Sequence, residues 1–384
     1  MITIDFPTKI VIGKTVINDA VDELSSKFKK LFIVTGGKKT CDSKSLKKFL
    51  QELEKKNISY ELLSGVSSNP TYEVVQEGVS AFKNAGSDCI VTIGGGSVHD
   101  SGKLIAILVK QQLQVEDLFV ENQGFEKISP DIVPVYTIPT LAGTGAEISP
   151  ASLLRHNKHK RIVFSPYLFP KVAFYDLETM HINNGQLCLL TGFDAYVQSL
   201  EAYVSNQANI WSDMFAKDGM KNALQALYLL SKDGNSFEAK EKLVIASIQG
   251  LLAVSKSSVG AIHALSDPLS GIFNTHHGKA LALLASTVVE INIQNGCSRY
   301  QKPAELFNVI YPGDYNAKNL PSLIEKFLKD IAPSLRDNVP NIASPLTKIE
   351  TLVSDSTNPD MFGNPVELAN SQIEKIFKIS LNLD

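Results

Sequence analysis

Apolar and polar positions in the first half of the chain switch between two periods, which predict strands separated by helices. The segments LFIVT (31–35) and DCIVTI (88–93) are almost wholly apolar, as in strands covered on both faces. Between them, apolar residues recur at helical spacing in NPTYEVVQEGVSAFKNAG (69–86). We expect Asn69 to cap this helix, Pro70 to occupy its first turn and Gly86 to end it. With further strands in SYELL, DIVPVYTIPT and KVAFYD, the alternation predicts a doubly wound parallel sheet.

The pattern changes after about Asp176, where long helical periods replace the alternation. Four such stretches cover residues 191–205, 211–230, 241–255 and 321–332. The boundary is therefore expected near residue 180. It separates an α/β, Rossmann-like dinucleotide-binding domain (1–179) from an all-α domain that binds metal and carries the catalytic residues (180–384).

Composition narrows the class of protein. The chain has 384 residues, 44% of them hydrophobic, which is enough for two domains with cores of their own. A formal net charge of -3 argues against nucleic-acid binding. The sequence lacks a long apolar run and a signal-like N-terminus, so no membrane association is expected. The four cysteines form no CxxC pair, which predicts free thiols, excludes a zinc finger and favours a cytoplasmic location.

Two loops rich in small residues follow predicted strands. The first begins Gly94-Gly95-Gly96-Ser97 and leads into a helical pattern; the second, PTLAGTGAE, spans residues 139–147. Glycines let a backbone approach a ligand closely, and a helix N-terminus presents free N–H groups to an anion such as a pyrophosphate. A tight structural turn would explain either loop alone. Together, at the carboxyl ends of parallel strands, they predict one nucleotide-binding crevice.

Several polar side chains in the helical half have the spacing of a metal site. These are Asp194, Gln198 and Glu201 on one helix face, His263 and Asp267 one turn apart, and the pair His276 and His277. Carboxylate and imidazole groups are ligands for zinc or ferrous iron. Taken singly, each signal is weak: a lone helical histidine is more often structural than a ligand, and Asp194 alone could be a surface charge.

In their order along the chain, these motifs resemble the iron-containing (group III) alcohol dehydrogenase family. The resemblance rests on FPTKIVIGK, NPTYE, GGGSVHD, GTGAE, FPKVAFYD, TGFDAYVQSLEAYVS, HALSDPLSG and HHGKALAL, and covers nearly the whole chain. It implies an NAD(P)-dependent oxidoreductase that interconverts an alcohol with its aldehyde or ketone. It also implies a divalent metal, Fe²⁺ or Zn²⁺, and a homodimer or larger homo-oligomer.

The resemblance also assigns individual residues. It implies cofactor contacts from Asn69, Gly95, Gly96, Ser97, Asp100, Thr140, Gly143, Thr144 and Lys160. It implies metal ligation by Asp194, His263 and His277, and Gln198 occupies a fourth ligand position that is normally histidine. A neutral amide is a poorer ligand than imidazole, so iron in particular is expected to bind less well.

Two further departures from the family bear on cofactor and chemistry. Gly36, Gly37 and Lys38, followed by Lys39, stand where NAD-preferring members often carry an acid, which favours the 2′-phosphate of NADP over NAD. Asp267 stands where the family often has a histidine. Asp267 and His277 are the expected catalytic residues. Asp267 would act as a general base or as an additional metal ligand. The alternative is that the Asp267 carboxylate is solvated or caps a nearby turn.

These departures leave three hypotheses about function. The first is metal-assisted, NAD(P)-linked turnover of a small alcohol or aldehyde. The second is a divergent enzyme of the same fold that acts on a sugar, polyol or biosynthetic intermediate, with zinc or no metal. The third is a binding protein that has lost catalysis, which the retained cofactor residues disfavour.

Overall fold

The computed structural model describes residues 6–157, 159–183, 185–335, 345–356 and 358–383, without the side chains of residues 345–348. The chain forms two compact units. The first contains residues up to Leu141 together with Gly145–His181, and the second contains Ala142–Thr144 together with residues from Ile182 onward. Three residues that the sequence-based boundary placed in the first domain thus pack with the second.

The first unit combines strands and helices along its length. Its strands are β1 (Lys9–Gly13), β2 (Lys30–Gly36), β3 (Ser59–Val66), β4 (Cys89–Gly94), β5 (Val135–Pro139), β6 (Ala151–His156), β7 (His159–Phe164) and β8 (Val172–Asp176). Its helices are α1 (Val16–Lys27), α2 (Lys38–Cys41), α3 (Lys44–Lys55), α4 (Tyr72–Ala85), α5 (Gly96–Lys110) and α6 (Gly124–Lys127).

Six of these strands form one parallel sheet, in the order β1-β8-β5-β4-β2-β3, and β6 and β7 form a separate antiparallel pair. The sheet is covered on both faces. Phe32 and Val34 of β2 pack in one core with α4 and α5, and the alternate residues Leu31 and Ile33 pack in another with α1 and α3. Because both faces are buried, the strands carry the continuous apolar runs seen in the sequence. The predicted doubly wound α/β sheet is confirmed.

The start of α4 differs from the prediction. The helix begins at Tyr72 with Thr71 as its N-cap, whereas Asn69 lies two residues earlier in a left-handed conformation, with φ 57°. Asn69 instead donates its backbone N–H to Ser97 Oγ at 3.3 Å. The predicted end is confirmed, since Gly86 adopts the left-handed conformation of a helix C-cap, with φ 63°.

The second unit is helical, as predicted. Its helices are α7 (Gln186–Val204), α8 (Ile210–Lys232), α9 (Phe237–Val254), α10 (Ala261–Phe273), α11 (His277–Gln294), α12 (Gln301–Leu306), α13 (Leu320–Ile331), α14 (Pro345–Asp355) and α15 (Asn370–Leu381). Helix α7 is buried on nearly every face, which identifies it as the central element of this core. Within the part of the chain that the structure describes, no helix combines the length and apolarity needed to cross a bilayer.

Candidate active site

Three predicted nucleotide-contacting segments lie together at the carboxyl ends of neighbouring strands. β4 lies between β2 and β5 in the sheet. β2 ends at Gly36, β4 ends at Gly94 and β5 ends at Pro139. Thr140, directly after β5, donates its backbone N–H to the Gly94 carbonyl oxygen at 2.8 Å. The chain order reverses between β2 and β4, so this edge is a topological switch point, where ligands bind in open α/β sheets.

The triple glycine forms the turn from β4 into α5. Gly95 is the N-cap of the helix and Gly96 its first residue, so the first N–H groups of α5 lie at this edge of the sheet. A Cβ on Gly95 would come no nearer than 3.8 Å to the Leu141 side chain, which leaves its surface open. Ser97, on the first turn, accepts the Asn69 N–H. This arrangement suits an anion such as a pyrophosphate.

Asp100, one turn further along α5, is held by a lysine that the sequence analysis missed. Lys103 is fully buried, and its Nζ lies 3.3 Å from Asp100 Oδ1. The same Nζ donates to the carbonyl oxygens of Ala146 at 3.0 Å and Ser149 at 3.5 Å, and to that of Ala151. Burial raises the pKa of Asp100, and the charges of Lys103 and of Lys160 on β7 oppose that rise. Lys103 thus fixes both Asp100 and the segment after β5.

The segment after β2 carries cations and no acid. Gly36 ends the strand, Gly37 is the N-cap of α2, and Lys38 and Lys39 are exposed on that short helix. The negative charge that would hold a ribose 2′-hydroxyl is therefore missing from residues 36–39.

In the second unit, helices α7, α10 and α11 bring three metal-ligand candidates together. Asp194, His263 and His277 each offer one ligand atom, and these atoms lie within 4.8 Å of one another. Asp194 Oδ1 is 3.2 Å from His263 Nε2, and Oδ2 is 3.7 Å from His277 Nε2. One carboxylate and two imidazoles form a suitable donor set for a divalent transition metal, with room for a further ligand.

Neighbouring groups orient both histidines with Nε2 towards Asp194. Glu201 Oε2 lies 2.5 Å from His263 Nδ1, and its other oxygen accepts the Ile262 N–H at 2.6 Å. Ser266 donates its hydroxyl to the His263 carbonyl oxygen at 2.8 Å, so the hydroxyl oxygen accepts from His277 Nδ1, 3.3 Å away. Each Nδ1 is then a donor, which gives each neutral ring an Nε2 lone pair for a metal.

The charges around His263 favour a cation at this position. Burial lowers the pKa of His263, but Glu201 and Asp194 outweigh burial through charge and hydrogen bonds and raise the pKa to about 10. The same negative charges that favour the protonated ring would favour a metal cation at Nε2.

Gln198 contacts the triad of Asp194, His263 and His277 as a hydrogen-bond donor. Its Nε2 donates to Asp194 Oδ1 at 3.1 Å and to the Thr144 carbonyl oxygen at 3.0 Å. Thr144 belongs to the Ala142–Thr144 segment of the second unit, in which Gly143 donates its N–H to Ser247 Oγ at 3.1 Å. Gly143 has φ 155°, and a Cβ there would overlap the Thr191 carbonyl oxygen, so only glycine fits against α7.

Two other predicted residues lie beside the triad in different roles. Asp267 is buried on α10, with 8% of its surface exposed, so the alternative of a solvated carboxylate does not hold. It does not belong to the group of three that could hold a metal among the described residues. His276 is the N-cap of α11, and its Nε2 lies 3.5 Å from Thr191 Oγ1; it does not belong to the group of three potential metal ligands among the described residues.

Two family models match this chain, one in each half of the sequence. Residues 7–177 match the family model described as "Iron-containing alcohol dehydrogenase", and residues 188–381 match "Fe-containing alcohol dehydrogenase family, C-terminal". The chain belongs to the iron-containing alcohol dehydrogenase family. Membership implies a nicotinamide cofactor and a metal.

Named relatives agree with this assignment. The chain is 29% identical to 1,3-propanediol dehydrogenase of Klebsiella pneumoniae over 72% of this chain and 71% of the relative. It is 28% identical to lactaldehyde reductase of Escherichia coli K12 over 78% of each. The solved alcohol dehydrogenase from Oenococcus oeni superimposes with a TM-score of 0.87 at 26% identity, covering 98% of this chain and 99% of that one. This alcohol dehydrogenase is thus an enzyme that interconverts alcohols and their aldehydes.

Glu201 provides a test of how the second unit supports the candidate metal site at Asp194, His263 and His277. We expect Glu201→Gln to lower metal affinity about 10- to 100-fold, the usual effect of losing a group that orients a histidine ligand. A carboxylate accepts from both Ile262 N and His263 Nδ1, whereas an amide has only one oxygen and would turn its NH₂ against the other donor. Metal titration with a competing chelator measures the change.

The matched control is Glu290→Gln, an exposed position on α11, which should leave the metal affinity unchanged. Equal affinities for the Glu201→Gln and wild-type proteins would contradict the assigned role of Glu201.

Proposed function

We propose that this enzyme interconverts a small alcohol and its aldehyde with NADP as hydride carrier and a divalent metal at Asp194, His263 and His277. The observation that carries the proposal is the orientation of both histidines, whose Nε2 atoms face the Asp194 carboxylate. A divalent metal in such a site supplies Lewis-acid polarisation of the substrate oxygen, and the nicotinamide carries the hydride.

The roles of the protein groups follow from their contacts. Asp194 supplies the negative charge that compensates a dication, and Glu201 holds His263 with Nε2 towards it. Ser266 holds the tautomer of His277 in which Nε2 is the acceptor. Asp267, a buried carboxylate one turn from His263, is our candidate for the group that accepts the alcohol proton during oxidation.

The choice of NADP is supported by the residues after β2. Lys38 and Lys39 are exposed there, and a 2′-phosphate can form charge-assisted hydrogen bonds with lysine ammonium groups. Cofactor contacts from Asn69, Gly95, Gly96, Ser97, Asp100, Thr140, Gly143, Thr144 and Lys160 remain predictions of the family resemblance.

The double variant Lys38→Ala/Lys39→Ala tests the cofactor proposal. We expect kcat/KM for NADPH to fall about tenfold, equivalent to about 1.4 kcal/mol. The variant lacks the attraction between the two exposed ammonium groups and the 2′-phosphate, which solvent and salt already weaken. The value for NADH should stay the same. As a control, Lys55→Ala/Lys56→Ala changes two exposed lysines at the far end of α3 and should alter neither value. Equal losses with both nucleotides would refute 2′-phosphate recognition.

The names of the relatives guide the choice of substrates. 1,3-Propanediol dehydrogenase and lactaldehyde reductase point to short hydroxyaldehydes. The test compares reduction of 3-hydroxypropionaldehyde and lactaldehyde by the chelator-stripped and metal-reconstituted enzyme, with NADPH and NADH. We expect turnover only after reconstitution and faster turnover with NADPH. Full activity of the stripped enzyme would refute metal assistance.

A second candidate is the divergent enzyme that acts on a sugar, a polyol or a biosynthetic intermediate. Two positions where the resemblance leads us to expect histidine favour this candidate. They carry Gln198 and Asp267, both buried on helices that also carry residues of the triad. A kcat/KM for polyols or sugars well above that for short aldehydes would select this candidate. A homo-oligomer and a cytoplasmic location stay predictions.

A further inference from the structure

The first turn of α10 is capped by two side chains from distant parts of the chain. Its N-cap is Gly260, which has no side chain that could accept a hydrogen bond. Asn364 Oδ1 accepts the Ala261 N–H at 3.2 Å, and Glu201 Oε1 accepts the Ile262 N–H at 2.6 Å. Two of the free N–H groups at this helix terminus therefore have partners from outside the helix.

The glycine at position 260 leaves room for both partners. A Cβ there would lie 3.2 Å from Asn364 Oδ1 and 3.2 Å from Glu201 Oε1, which is closer than most Cβ atoms approach a neighbour. The two acceptor oxygens are thus neighbours at one helix terminus. An N–H group of α10 that lost its own acceptor would have the Glu201 carboxylate beside it.

Hydrogen bonds fix the orientation of the Asn364 amide. Asn364 is buried and directly follows the short 3-10 segment Pro359–Gly363. It exchanges two hydrogen bonds of 3.0 Å with the amide of Asn292 on α11, and its Nδ2 also donates to the Val366 carbonyl oxygen at 2.7 Å. Because Nδ2 is held by two acceptors, Oδ1 is the atom that faces the first turn of α10.

Glu201 connects this helix cap to the candidate metal site. Its Oε1 accepts from Ile262, while its Oε2 lies 2.5 Å from His263 Nδ1. The opposite side of the same ring, Nε2, lies 3.2 Å from Asp194 Oδ1. The position of one carboxylate therefore sets both the first turn of α10 and the direction in which the His263 ring points.

Loss of the Asn364 oxygen would disturb this division of labour. The Ala261 N–H would be buried without an acceptor, which costs more than a missing hydrogen bond between exposed groups. The nearest remedy is a shift of the first turn towards Glu201, whose carboxylate would then serve a further donor. The contact between Glu201 and His263 would weaken as a result.

We propose that Asn364 is a positioning residue for His263: by accepting the Ala261 N–H, it leaves Glu201 free to hold the His263 ring. The inference rests on the proposed metal site at Asp194, His263 and His277. It adds a residue that acts on this site through Glu201 and not by ligation.

The experiment compares the wild-type enzyme with Asn364→Ala and with the double variant Asn364→Ala/Ala261→Pro. Proline suits the first position of a helix, has no N–H that needs a cap, and places its ring where the shortened side chain leaves space. The double variant thus removes the donor together with its acceptor. The control is Asn209→Ala, which removes the N-cap of α8, a helix of the same unit that carries none of the proposed ligands.

Two quantities are measured. The first is the dissociation constant of the stripped protein for Zn²⁺, by competition with a chromophoric chelator. The second is the proton resonance of the His263 Nδ1–H group in stripped protein with ¹⁵N-labelled histidine, assigned by its absence from His263→Gln. A short hydrogen bond to a carboxylate moves this resonance downfield, so it reports the contact with Glu201 in the absence of any metal.

We expect Asn364→Ala to weaken Zn²⁺ binding about tenfold, the lower end of the range for groups that orient a histidine ligand, and to move the His263 resonance upfield. The double variant should return both quantities close to their wild-type values. Asn209→Ala should lower the thermal stability and leave both quantities unchanged, because it removes a helix cap without affecting Glu201.

Wild-type values of both quantities in folded Asn364→Ala would overturn the inference and leave the proposed metal site standing. A folded double variant that is no closer to wild type than Asn364→Ala would do the same. If the double variant does not fold, the comparison of Asn364→Ala with Asn209→Ala decides. Wild-type protein that binds no metal would refute the proposed function, and the resonance in stripped Asn364→Ala would then still decide whether Asn364 positions His263.

Discussion

Replacing Asp194 by asparagine is expected to abolish metal loading and to lower kcat/KM about a thousandfold. Asp194 is the one carboxylate of the triad, and both of its oxygens face histidine Nε2 atoms. Asparagine keeps the volume and can still accept the hydrogen bond from Gln198, but it supplies no charge to compensate a dication. Loss of a Lewis-acid contribution of about 4 kcal/mol corresponds to about three powers of ten in rate.

Elemental analysis of the bound metal and steady-state kinetics check this expectation. The control is Asp218→Asn, an exposed carboxylate on α8, which should retain metal and activity. Circular dichroism and gel filtration establish that both variants are folded. A folded Asp194→Asn enzyme with one metal per chain and wild-type kcat/KM would show that the carboxylate is not a ligand.

Replacing Lys103 by methionine is expected to lower the free energy of unfolding of the first unit by about 3–5 kcal/mol, the range for removing one partner of a buried ion pair. The change removes the ion-pair partner 3.3 Å from the Asp100 carboxylate and the donor to the Ala146, Ser149 and Ala151 carbonyl oxygens. Because domains are stable by only about 5–15 kcal/mol, the loss is a large share of the total.

Urea denaturation followed by circular dichroism measures the change, with Lys110→Met as the matched control. Lys110 lies at the exposed end of the same helix, so its replacement should alter the free energy of unfolding by less than about 0.5 kcal/mol. If Lys103→Met were as stable as Lys110→Met, the buried ammonium group would not be structural.

The regular elements were predictable because their signals are local. The continuous apolar runs that predict β2 and β4 involve only a few consecutive residues. The same holds for Gly86, whose left-handed conformation ends α4. The start of α4 was wrong for the opposite reason. Asn69 is a good cap in isolation, but here its backbone is left-handed, with φ 57°, and its N–H bonds to Ser97, which lies 28 residues further along the chain.

The candidate site was predictable only where spacing or family resemblance gave a signal. Asp194, His263 and His277 lie together, as the motifs indicated, although their function is still a prediction. The helical spacing placed Glu201 on one face with Asp194, but its partnership with His263 spans 62 residues and does not follow from that local pattern. Lys103 looked like an ordinary helical lysine because the carbonyl oxygens that surround it come 43 to 48 residues later.

The assignment of Ala142–Thr144 to the second unit affects how this enzyme can be recombined with its relatives. A crossover after His181 would appear to exchange one whole module, yet it would leave these three residues behind. Residues 142–144 of one parent would then pack against α7 of the other, where Gly143, with φ 155°, leaves no room for a Cβ beside the Thr191 carbonyl oxygen. Residues 142–144 and α7 therefore form a unit of exchange that the order of the sequence conceals.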